Sequence, residues 1–431
     1  MIVALLICLL LLVLLRTPVV LAIGLVGLAG MIMSVNATPA FFAQRSFAVI
    51  DSFSLLALPY FILAGSIMAR GGLSTALVTL FQSVFGRVRG SLGHATVGAC
   101  VGMANVSGSS AAEAAAIGSV TIPAMKESGY PPGLAASIVA ASATIGPVIP
   151  PSMTMIIFGS MSGVSIGGLF MAGIIPGLIM AMALGICIWG LSFRRGYDGL
   201  KAFDVQVGAA AFVRAFRKSL VALVAPVIIL GGIFAGVFTA TEAGIVACVY
   251  AFLTSWLYYR SIAIADMKAI ILDAAITTSV VVGIISMAGS LGWLMSFEQF
   301  NAEVLACIQS LSSNGVIVLF LLVGAMLLLT MFLESLAVLI VFIPTIALIT
   351  TAYGFDPLHV GVVVVIATQL GALSPPVALL LFITTKIADA PIVETFKHVV
   401  PFLAALLIVL VVLILNPQIV TWLPELARGP S

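Results

Sequence analysis

Long uncharged runs dominate the pattern of polar and apolar positions along this chain. The longest extends from Ser128 to Phe193 without any Asp, Glu, Lys or Arg, and further uncharged runs cover residues 18–44, 90–112, 219–241, 274–297, 304–333, 357–385 and 399–424. A helix that spans a membrane needs roughly 20 apolar residues, so the pattern predicts roughly ten to thirteen membrane segments. The runs are continuous rather than alternating, which favours helices over the strands of a barrel.

The composition supports a membrane location. Hydrophobic residues make up 62% of the chain and charged residues 7%, whereas soluble proteins carry about 25% charged residues. The net charge of +2 is too small to indicate a nucleic-acid partner. The apolar segment from Met1 to Leu15 lacks a basic start and a small-residue cleavage site, so we expect it to remain as a helix.

Signatures of enzymes are missing from the sequence. The three histidines are scattered, the five cysteines are isolated within apolar stretches, and no HExxH, Walker A or GxSxG pattern occurs. Without a phosphate-binding loop we expect no use of ATP by this chain. A transporter of this composition would draw on an ion gradient or on a separate motor.

One long polar stretch interrupts the apolar pattern near the middle of the chain, at residues 194–218. It carries six basic residues against two acidic ones, which by the positive-inside rule predicts a cytoplasmic linker loop. The linker separates a first half, residues 1–193, from a second half, residues 219–431.

The two halves share an internal repeat. Gly146, Pro150, Pro151 and Pro176 recur at a constant offset of 225 as Gly371, Pro375, Pro376 and Pro401. Glu113 and Pro123 recur as Glu334 and Pro344, at an offset of 221. These signals predict an all-α polytopic membrane protein with two inverted repeats, each built from a re-entrant helical hairpin and a broken helix.

Two further segments are amphipathic at helical spacing, residues 72–88 and residues 297–312. We expect each to be an arm helix that lies along the membrane surface. A partly buried spanning helix is the alternative interpretation.

Asn105 to Ser110 (Asn-Val-Ser-Gly-Ser-Ser) is the most polar stretch within an uncharged run. Gly, Ser and Asn disfavour the helix interior, so we expect a break there. Non-helical backbone at membrane depth is tolerated where it is buried in protein or lines a polar cavity. The sequence therefore predicts the tip of a hairpin over residues 92–126 that offers oxygens to an ion or a solute. Close helix packing by small residues is the alternative.

The prolines at 146–151 and 371–376 each predict a broken helix, because proline removes N–H donors and clashes with preceding carbonyls. Freed carbonyls at such breaks hold Na⁺ in other transporters. The second hairpin is expected over residues 315–352, with its tip near Gly324 to Thr330. A plain proline kink without a ligand is the alternative for each break.

Acidic residues within apolar runs are costly and point to function. Glu113 and Glu334 follow the two expected tips, where a carboxylate suits the N-terminus of the next helix. Direct ion coordination and proton carriage remain open for both. Glu242 follows Thr239 and Thr241 and is expected to begin a helix in the same way.

These motifs together resemble the large membrane subunit of the tripartite ATP-independent periplasmic (TRAP) transporters. The resemblance covers almost the whole chain and is carried by residues 105–113, 122–125, 129–131, 146–152, 238–244 and 371–376. It implies a Na⁺-coupled importer of an organic acid, such as sialic acid or a C4-dicarboxylate, in the bacterial inner membrane. It also implies two partners, a separate small membrane subunit of about four helices and a periplasmic substrate-binding protein.

The resemblance further implies a fold like that of the divalent-anion/sodium symporters, in which a transport domain slides along a scaffold as an elevator. It implies a first Na⁺ site formed by Asn105, Ser107, Ser109, Ser110, Gly146, Ile149 and Pro151. A second site would use Thr330, Gly371, Ser374 and Pro376. The less polar stretch at residues 325–329 is a departure from symmetry.

Three other functions stay open from the residues alone. The chain could be a stand-alone symporter that needs no binding protein, a proton-coupled carrier that uses Glu113 or Glu334, or a structural membrane protein whose polar tips serve only packing.

Overall fold

A computed structural model describes residues 1–35, 38–195 and 209–428, and within these ranges the chain is helical with no strand. Eight helices in the described part are long and apolar enough to cross a membrane: Phe53–Arg70, Ile166–Phe193, Phe212–Phe234, Ala240–Tyr258, Ile264–Phe297, Gly315–Phe332, Ser335–Ala352 and Ile392–Leu415. Several apolar helices are shorter than a full span because helix breaks divide them. A polytopic all-α fold is confirmed.

One group of helices, here called the frame helices, comes from the start of the chain and from the segment after the linker. It contains α1 (Ile2–Leu14), α2 (Val19–Val35), α3 (Pro39–Ile50), α4 (Ala57–Arg70), α11 (Ala209–Phe234), α12 (Ala240–Leu253) and α13 (Met267–Phe297). In this group α2 and α3 pack against α13, and α4 packs against α12. Glycines on α2 allow the close approach to α13, since Gly24 faces Met287 and Gly30 faces Leu294.

The second group, here called the hairpin helices, occurs as two similar series. The first contains α5 (Leu73–Phe85), α6 (Ser91–Ser107), α7 (Ser110–Glu127), α8 (Pro132–Ala143), α9 (Met153–Ser162) and α10 (Ile166–Arg195). The second contains α14 (Phe300–Leu311), α15 (Gly315–Phe332), α16 (Ser335–Ala352), α17 (Pro357–Leu373), α18 (Leu379–Ala388) and α19 (Ile392–Leu415), followed by α20 (Pro417–Arg428). Helices α7 and α16 begin 225 residues apart, and so do α8 and α17.

The centre of the molecule lies among the hairpin helices. Every residue of α8 from Gly133 and every residue of α17 from Leu358 is buried. Both helices begin at a proline, which suits the first helical turn because its missing N–H would have no partner there. The first break, residues 144–152, is buried as well, as irregular backbone at membrane depth requires, whereas the second break reaches the surface at Pro376 and Val377.

The expectation of a loop over residues 194–218 is wrong at both ends. Helix α10 continues to Arg195 and α11 already begins at Ala209, while residues 196–208 lie outside the described part. The start of α11 is held by tertiary contacts, because the hydroxyls of Tyr258 and Tyr259 donate to the carbonyls of Arg217 and Lys218.

The expected position of the second hairpin tip is also wrong. Helix α15 continues through residues 324–330, and the chain leaves the helix only at Leu333 and Glu334. Leu and Met are strong helix formers, so this stretch has no reason to break. The N-caps of α7 and α16 are Ser109 and Glu334, which are 225 residues apart, so Glu113 and Glu334 are not equivalent positions.

The two amphipathic segments form separate helices, α5 and α14. Helix α5 is largely buried and packs on α11, where the Ser219 hydroxyl donates to the Ala76 carbonyl at 2.9 Å. Helix α14 is mostly exposed, and its buried Asn301 accepts a hydrogen bond from Thr345 at 2.7 Å. Their placement along a membrane surface stays a prediction.

Candidate functional site

The first hairpin tip lies directly against the first broken helix. Helix α6 ends at Ser107 and α7 begins at Ser110, with Gly108 between them at φ 56°. A Cβ at Gly108 would lie 2.8 Å from the Pro151 carbonyl oxygen and 3.0 Å from the Met153 nitrogen. Glycine is therefore required here both for the left-handed backbone and for the close approach.

The first break, between α8 and α9, exposes a series of backbone carbonyls. The Ser152 hydroxyl donates to the Pro147 carbonyl at 2.5 Å and accepts from the Met155 N–H at 3.2 Å. The carbonyl oxygens of Gly146, Ile149 and Pro151 all belong to this irregular segment, and the Pro151 oxygen lies beside the tip at Gly108. Carbonyls of broken helices can serve as ligands for a cation.

Glu113 faces this break from α7. Its side chain is fully buried, and neither carboxylate oxygen has a hydrogen-bond partner among the described residues. A Cβ at Gly146 would lie 2.3 Å from Oε1, so the carboxylate covers the Gly146 backbone. Glu113 lies in the first turn of α7, as expected, but it does not cap the helix, because Ser109 is the N-cap and accepts the capping bond from the Ala112 N–H.

The second hairpin meets the second break in a similar way. A Cβ at Gly371 would lie 1.8 Å from Thr330 Oγ1 and 2.6 Å from the Leu327 carbonyl oxygen. Thr330 and Ser374 are both buried, and the Ser374 N–H donates to the Gly371 carbonyl at 2.9 Å. Pro376 is exposed and lies at the margin of this cluster. The structure thus brings Thr330 and Gly371 together, with Ser374 one turn away.

Both tips contact the same turn of α17. The Ser110 hydroxyl donates to Gln369 Oε1 at 3.0 Å, and the Ser335 hydroxyl donates to the Thr368 carbonyl at 3.1 Å. Gln369 is buried and was missed by the sequence analysis, although it is the one amide side chain in the uncharged run 357–385. This turn links the two halves of the site.

Asn105 lies one turn before the first tip. Its amide nitrogen donates to the Val101 carbonyl at 2.9 Å, which leaves its side-chain oxygen as an acceptor. Ser109 is partly buried at the tip itself. The side chain of Ser107 lies outside the described part of the structure.

The side-chain and carbonyl oxygens that meet at the two breaks are neutral or anionic, and most of them are buried. Hard cations prefer oxygen ligands from carbonyls, hydroxyls and carboxylates. Both clusters therefore fit a small hard cation, and the first also contains the Glu113 carboxylate, whose oxygens have no hydrogen-bond partner among the described residues.

Two cavities separate the frame helices from the hairpin helices. One, of about 470 Å³, lies beside Ser54, Ser165 and Thr241. The other, of about 440 Å³, lies beside Asp51, Trp293 and Ser296. Both are lined by Ser160, whose hydroxyl is 3.0 Å from that of Ser52.

By chain order, both cavities lie near the helix ends that face away from the start of α11. Helix α11 starts at the linker and crosses once before Thr239, α12 returns, and α13 crosses again before Ser296.

Thr239 begins α12 with a capping box. Its hydroxyl accepts from the Glu242 N–H at 3.3 Å, and the Glu242 carboxylate accepts from the Thr239 N–H at 2.8 Å. The expectation that Glu242 begins a helix is confirmed.

Glu334 is the N-cap of α16, and its carboxylate accepts the Ala337 N–H at 2.9 Å. We expect Glu334→Ala to lower the free energy of unfolding by about 1 kcal/mol, because an N-cap acceptor is lost. Thermal unfolding of the purified protein, followed by tryptophan fluorescence, measures the change. Glu303→Ala is the control, since Glu303 is an exposed carboxylate in the first turn of α14. Equal melting temperatures for the two variants would contradict the capping role.

Known transport proteins resemble this chain along most of its length. The sequence profile described as "Tripartite ATP-independent periplasmic transporter, DctM component" matches residues 6–419. The sialic acid TRAP transporter large permease protein SiaM of Vibrio cholerae is 33% identical over 96% of each chain. The C4-dicarboxylate TRAP transporter large permease protein DctM of Pseudomonas aeruginosa is 32% identical over 89% of each chain. The isethionate TRAP transporter permease protein DctMQ of Oleidesulfovibrio alaskensis is 35% identical over 93% of this chain and 63% of that protein.

Proposed function

Since the chain belongs to the DctM family of tripartite ATP-independent periplasmic transporters, and is therefore a large permease of the bacterial inner membrane rather than an enzyme, we propose that it imports a small organic acid on a sodium gradient. The substrate would arrive from a periplasmic binding protein, and a small four-helix membrane subunit would complete the complex. Relatives named for sialic acid, C4-dicarboxylates and 2,3-diketo-L-gulonate support an organic acid as the substrate class.

The observation that supports sodium coupling is the pair of helix breaks, each of which is faced by a helical hairpin. The first Na⁺ would be held by Asn105, Ser107, Ser109 and Ser110 with the carbonyls of Gly146, Ile149 and Pro151. The carboxyl group of Glu113, buried without a partner among the described residues, would supply a negative charge beside this site when it is ionised. A buried anion of this kind is stabilised by a cation.

The second Na⁺ would be held by Thr330, Gly371 and Ser374, with Pro376 at the margin. The contact between Thr330 and Gly371 supports this choice. The hydrogen bonds of Ser110 and Ser335 to one turn of α17 connect the two sites, so filling one would help to order the other.

We further propose that the two series of hairpin helices are inverted repeats, and that they move as a transport domain against the frame helices. The cavities between the groups leave room for such sliding. They lie on the face opposite the basic linker, which is periplasmic if the linker is cytoplasmic. Substrate released by a binding protein would enter from that face.

Uptake by proteoliposomes tests the function directly. The chain is reconstituted with its small membrane subunit, and radiolabelled sialic acid or succinate is offered together with the purified binding protein. We expect uptake under an inward Na⁺ gradient and none when K⁺ replaces Na⁺.

Each other outcome identifies a different function. Uptake that ignores Na⁺ would refute the coupling, and uptake driven by a pH gradient alone would indicate a proton-coupled carrier. Equal uptake without the binding protein would indicate a stand-alone symporter.

A further inference from the structure

An apolar cavity lies between the frame helices and the second hairpin. It is bordered by α1 and α2 on one side and by the end of α15 and the first turns of α16 on the other. Every side chain that lines it is a hydrocarbon, and its volume is about 220 Å³. Sites for small polar molecules have roughly 300–1,000 Å³ and a few placed polar groups, so this cavity does not suit the transported solute.

The cavity is elongated along α1. The residues of α1 that line it extend from Val3 to Val13, which is about 15 Å along a helix. Leu9 and Ile23 in its lining are buried, whereas Val3 and Ile7 are 59% and 54% exposed and form its rim. A helix with its side chains is about 10–12 Å across and cannot enter a cavity of this volume, whereas a single hydrocarbon chain can.

An empty cavity of this kind is unfavourable, because the atoms that line it lack contacts on one side. Water does not fill it, since a buried water molecule needs polar partners. Lipid chains surround a protein in the membrane and are as apolar as leucine side chains. A lipid chain is therefore the occupant that suits both the lining and the exposed rim.

The cavity also borders the tip of the second hairpin. Leu329 and Leu333 line it at the end of α15, and Thr330 follows Leu329 directly. Ala337, whose N–H donates to the Glu334 carboxylate, lines it from α16. An occupant of the cavity therefore contacts this hairpin close to its tip.

A basic turn lies at one end of the cavity. Val13 and Val19 both line it, and Arg16 lies midway between them in the turn that joins α1 to α2. The Arg16 N–H donates to the Val13 carbonyl at 2.9 Å, and its backbone is left-handed, with φ 65°. Glycine would adopt this conformation more easily. The Arg16 side chain is exposed, and no ion pair among the described residues includes it.

This turn points toward the side of the membrane on which the basic linker lies. Gly24 faces Met287 and Gly30 faces Leu294, so α2 runs in the same direction as α13. Helix α13 starts on the linker side, because α11 leaves the linker and α12 returns to it. By the positive-inside rule this is the cytoplasmic side, whose leaflet carries anionic lipids. The charge of Arg16 is therefore complementary to the headgroups of that leaflet.

We propose that this cavity holds one acyl chain of an anionic phospholipid, whose phosphate lies against Arg16. The chain fills the gap between the frame helices and the second hairpin, and it supports the hairpin close to its tip. The site contains none of the residues of the two cation clusters, so the proposal does not depend on sodium coupling.

Native mass spectrometry of the full chain, purified in detergent and delipidated, measures the binding. Phosphatidylglycerol and phosphatidylcholine with the same acyl chains are titrated as probes. We expect the first phosphatidylglycerol to bind about fivefold more tightly than phosphatidylcholine, since one basic side chain near an anionic lipid changes the affinity by about that factor.

Variants that fill the cavity test where the chain lies. Ala337→Phe fills it from α16 and should weaken the binding of the first phosphatidylglycerol at least about tenfold, because the ring and the chain compete for one space. Ile7→Trp fills it from the exposed rim, where a larger side chain does not disturb folding. Leu11→Trp is the matched control, since Leu11 is also on α1 and 54% exposed but does not line the cavity. It should leave the affinity unchanged.

A charge variant tests the headgroup. Arg16→Gln should remove the roughly fivefold preference for phosphatidylglycerol while a phospholipid still binds. Arg260→Gln is the control, because Arg260 is likewise exposed and left-handed, with φ 49°, but lies on a different segment that does not border the cavity.

Equal affinities for the first phosphatidylglycerol in the wild type, Ala337→Phe and Ile7→Trp would overturn the proposal. Loss of the small membrane subunit from Ala337→Phe with unchanged lipid binding would make the cavity a protein interface instead. An unchanged headgroup preference in Arg16→Gln would overturn the placement of the phosphate. The measurement uses no ion gradient and no transported substrate, so its failure would leave sodium-driven uptake as it stands, and failed uptake would leave the lipid site as it stands.

Discussion

Replacing Gly371 with alanine is expected to weaken the sodium response of this permease about 10- to 100-fold. The added Cβ would lie 1.8 Å from Thr330 Oγ1 and 2.6 Å from the Leu327 carbonyl oxygen, so the second hairpin must move away from the second break. Overpacking of this kind costs about 1–3 kcal/mol, and 1.4 kcal/mol corresponds to a factor of ten. The Na⁺ concentration that gives half-maximal uptake, or half-maximal thermal stabilisation, measures the effect.

Two further variants isolate the cause. Gly324→Ala, on the same hairpin, is the control, because a Cβ there meets nothing within 4 Å and alanine favours the helix. Adding Thr330→Ala to Gly371→Ala removes the side-chain part of the clash but leaves the Leu327 carbonyl, so folding should improve without full recovery of sodium affinity. If the Gly371→Ala protein responded to sodium as the wild type does, the second break would not be part of a cation site.

The second large effect is expected from Glu113→Met, which should make the protein more stable without sodium and inactive with it. The buried carboxylate has no hydrogen-bond partner among the described residues, and leaving such a group unpaired costs about 1–3 kcal/mol or more. An apolar side chain of similar volume removes that cost. It also removes the negative charge beside Gly146, so we expect Na⁺ to raise the melting temperature of the wild type but not of the variant.

Thermal unfolding with NaCl or choline chloride, together with uptake, measures both effects. Glu127→Met is the control, since Glu127 is exposed at the other end of α7. A Glu113→Met protein that is less stable than wild type and still responds to Na⁺ would show that the carboxylate has a structural partner instead of a cation.

Much of the architecture could be predicted from the sequence because its signals are local. Uncharged runs identify membrane helices, and prolines with Gly146 and Gly371 identify the two breaks, since each effect acts within one helical turn. The break at Gly108 follows from the poor helix propensity of Gly and Ser in the same way. The capping role of Glu334 also depends only on its own helix.

The predictions that were wrong needed more than a local signal. Equal spacing to a later proline suggested that Glu113 matches Glu334, but the N-caps show that Ser109 is the equivalent residue. In the tip expected at residues 324–330, Gly324 is followed by Ala, Met and Leu residues, which are strong helix formers, so α15 continues through this stretch. The pairing of Glu113 with Glu334 has an offset of 221, whereas the helices themselves follow an offset of 225.

By itself, the sequence determined that this protein is a helical membrane protein with two interrupted, oxygen-rich helices at matched places. The tertiary structure alone decided which distant groups meet: Glu113 with Gly146, Ser110 with Gln369, and Arg45 with Trp293. The physical reason is that helix formation and breaking depend on residues within about four positions of each other, whereas a binding site depends on how whole helices pack. Packing is decided by the shapes of many side chains at once, and no single stretch of sequence contains that information.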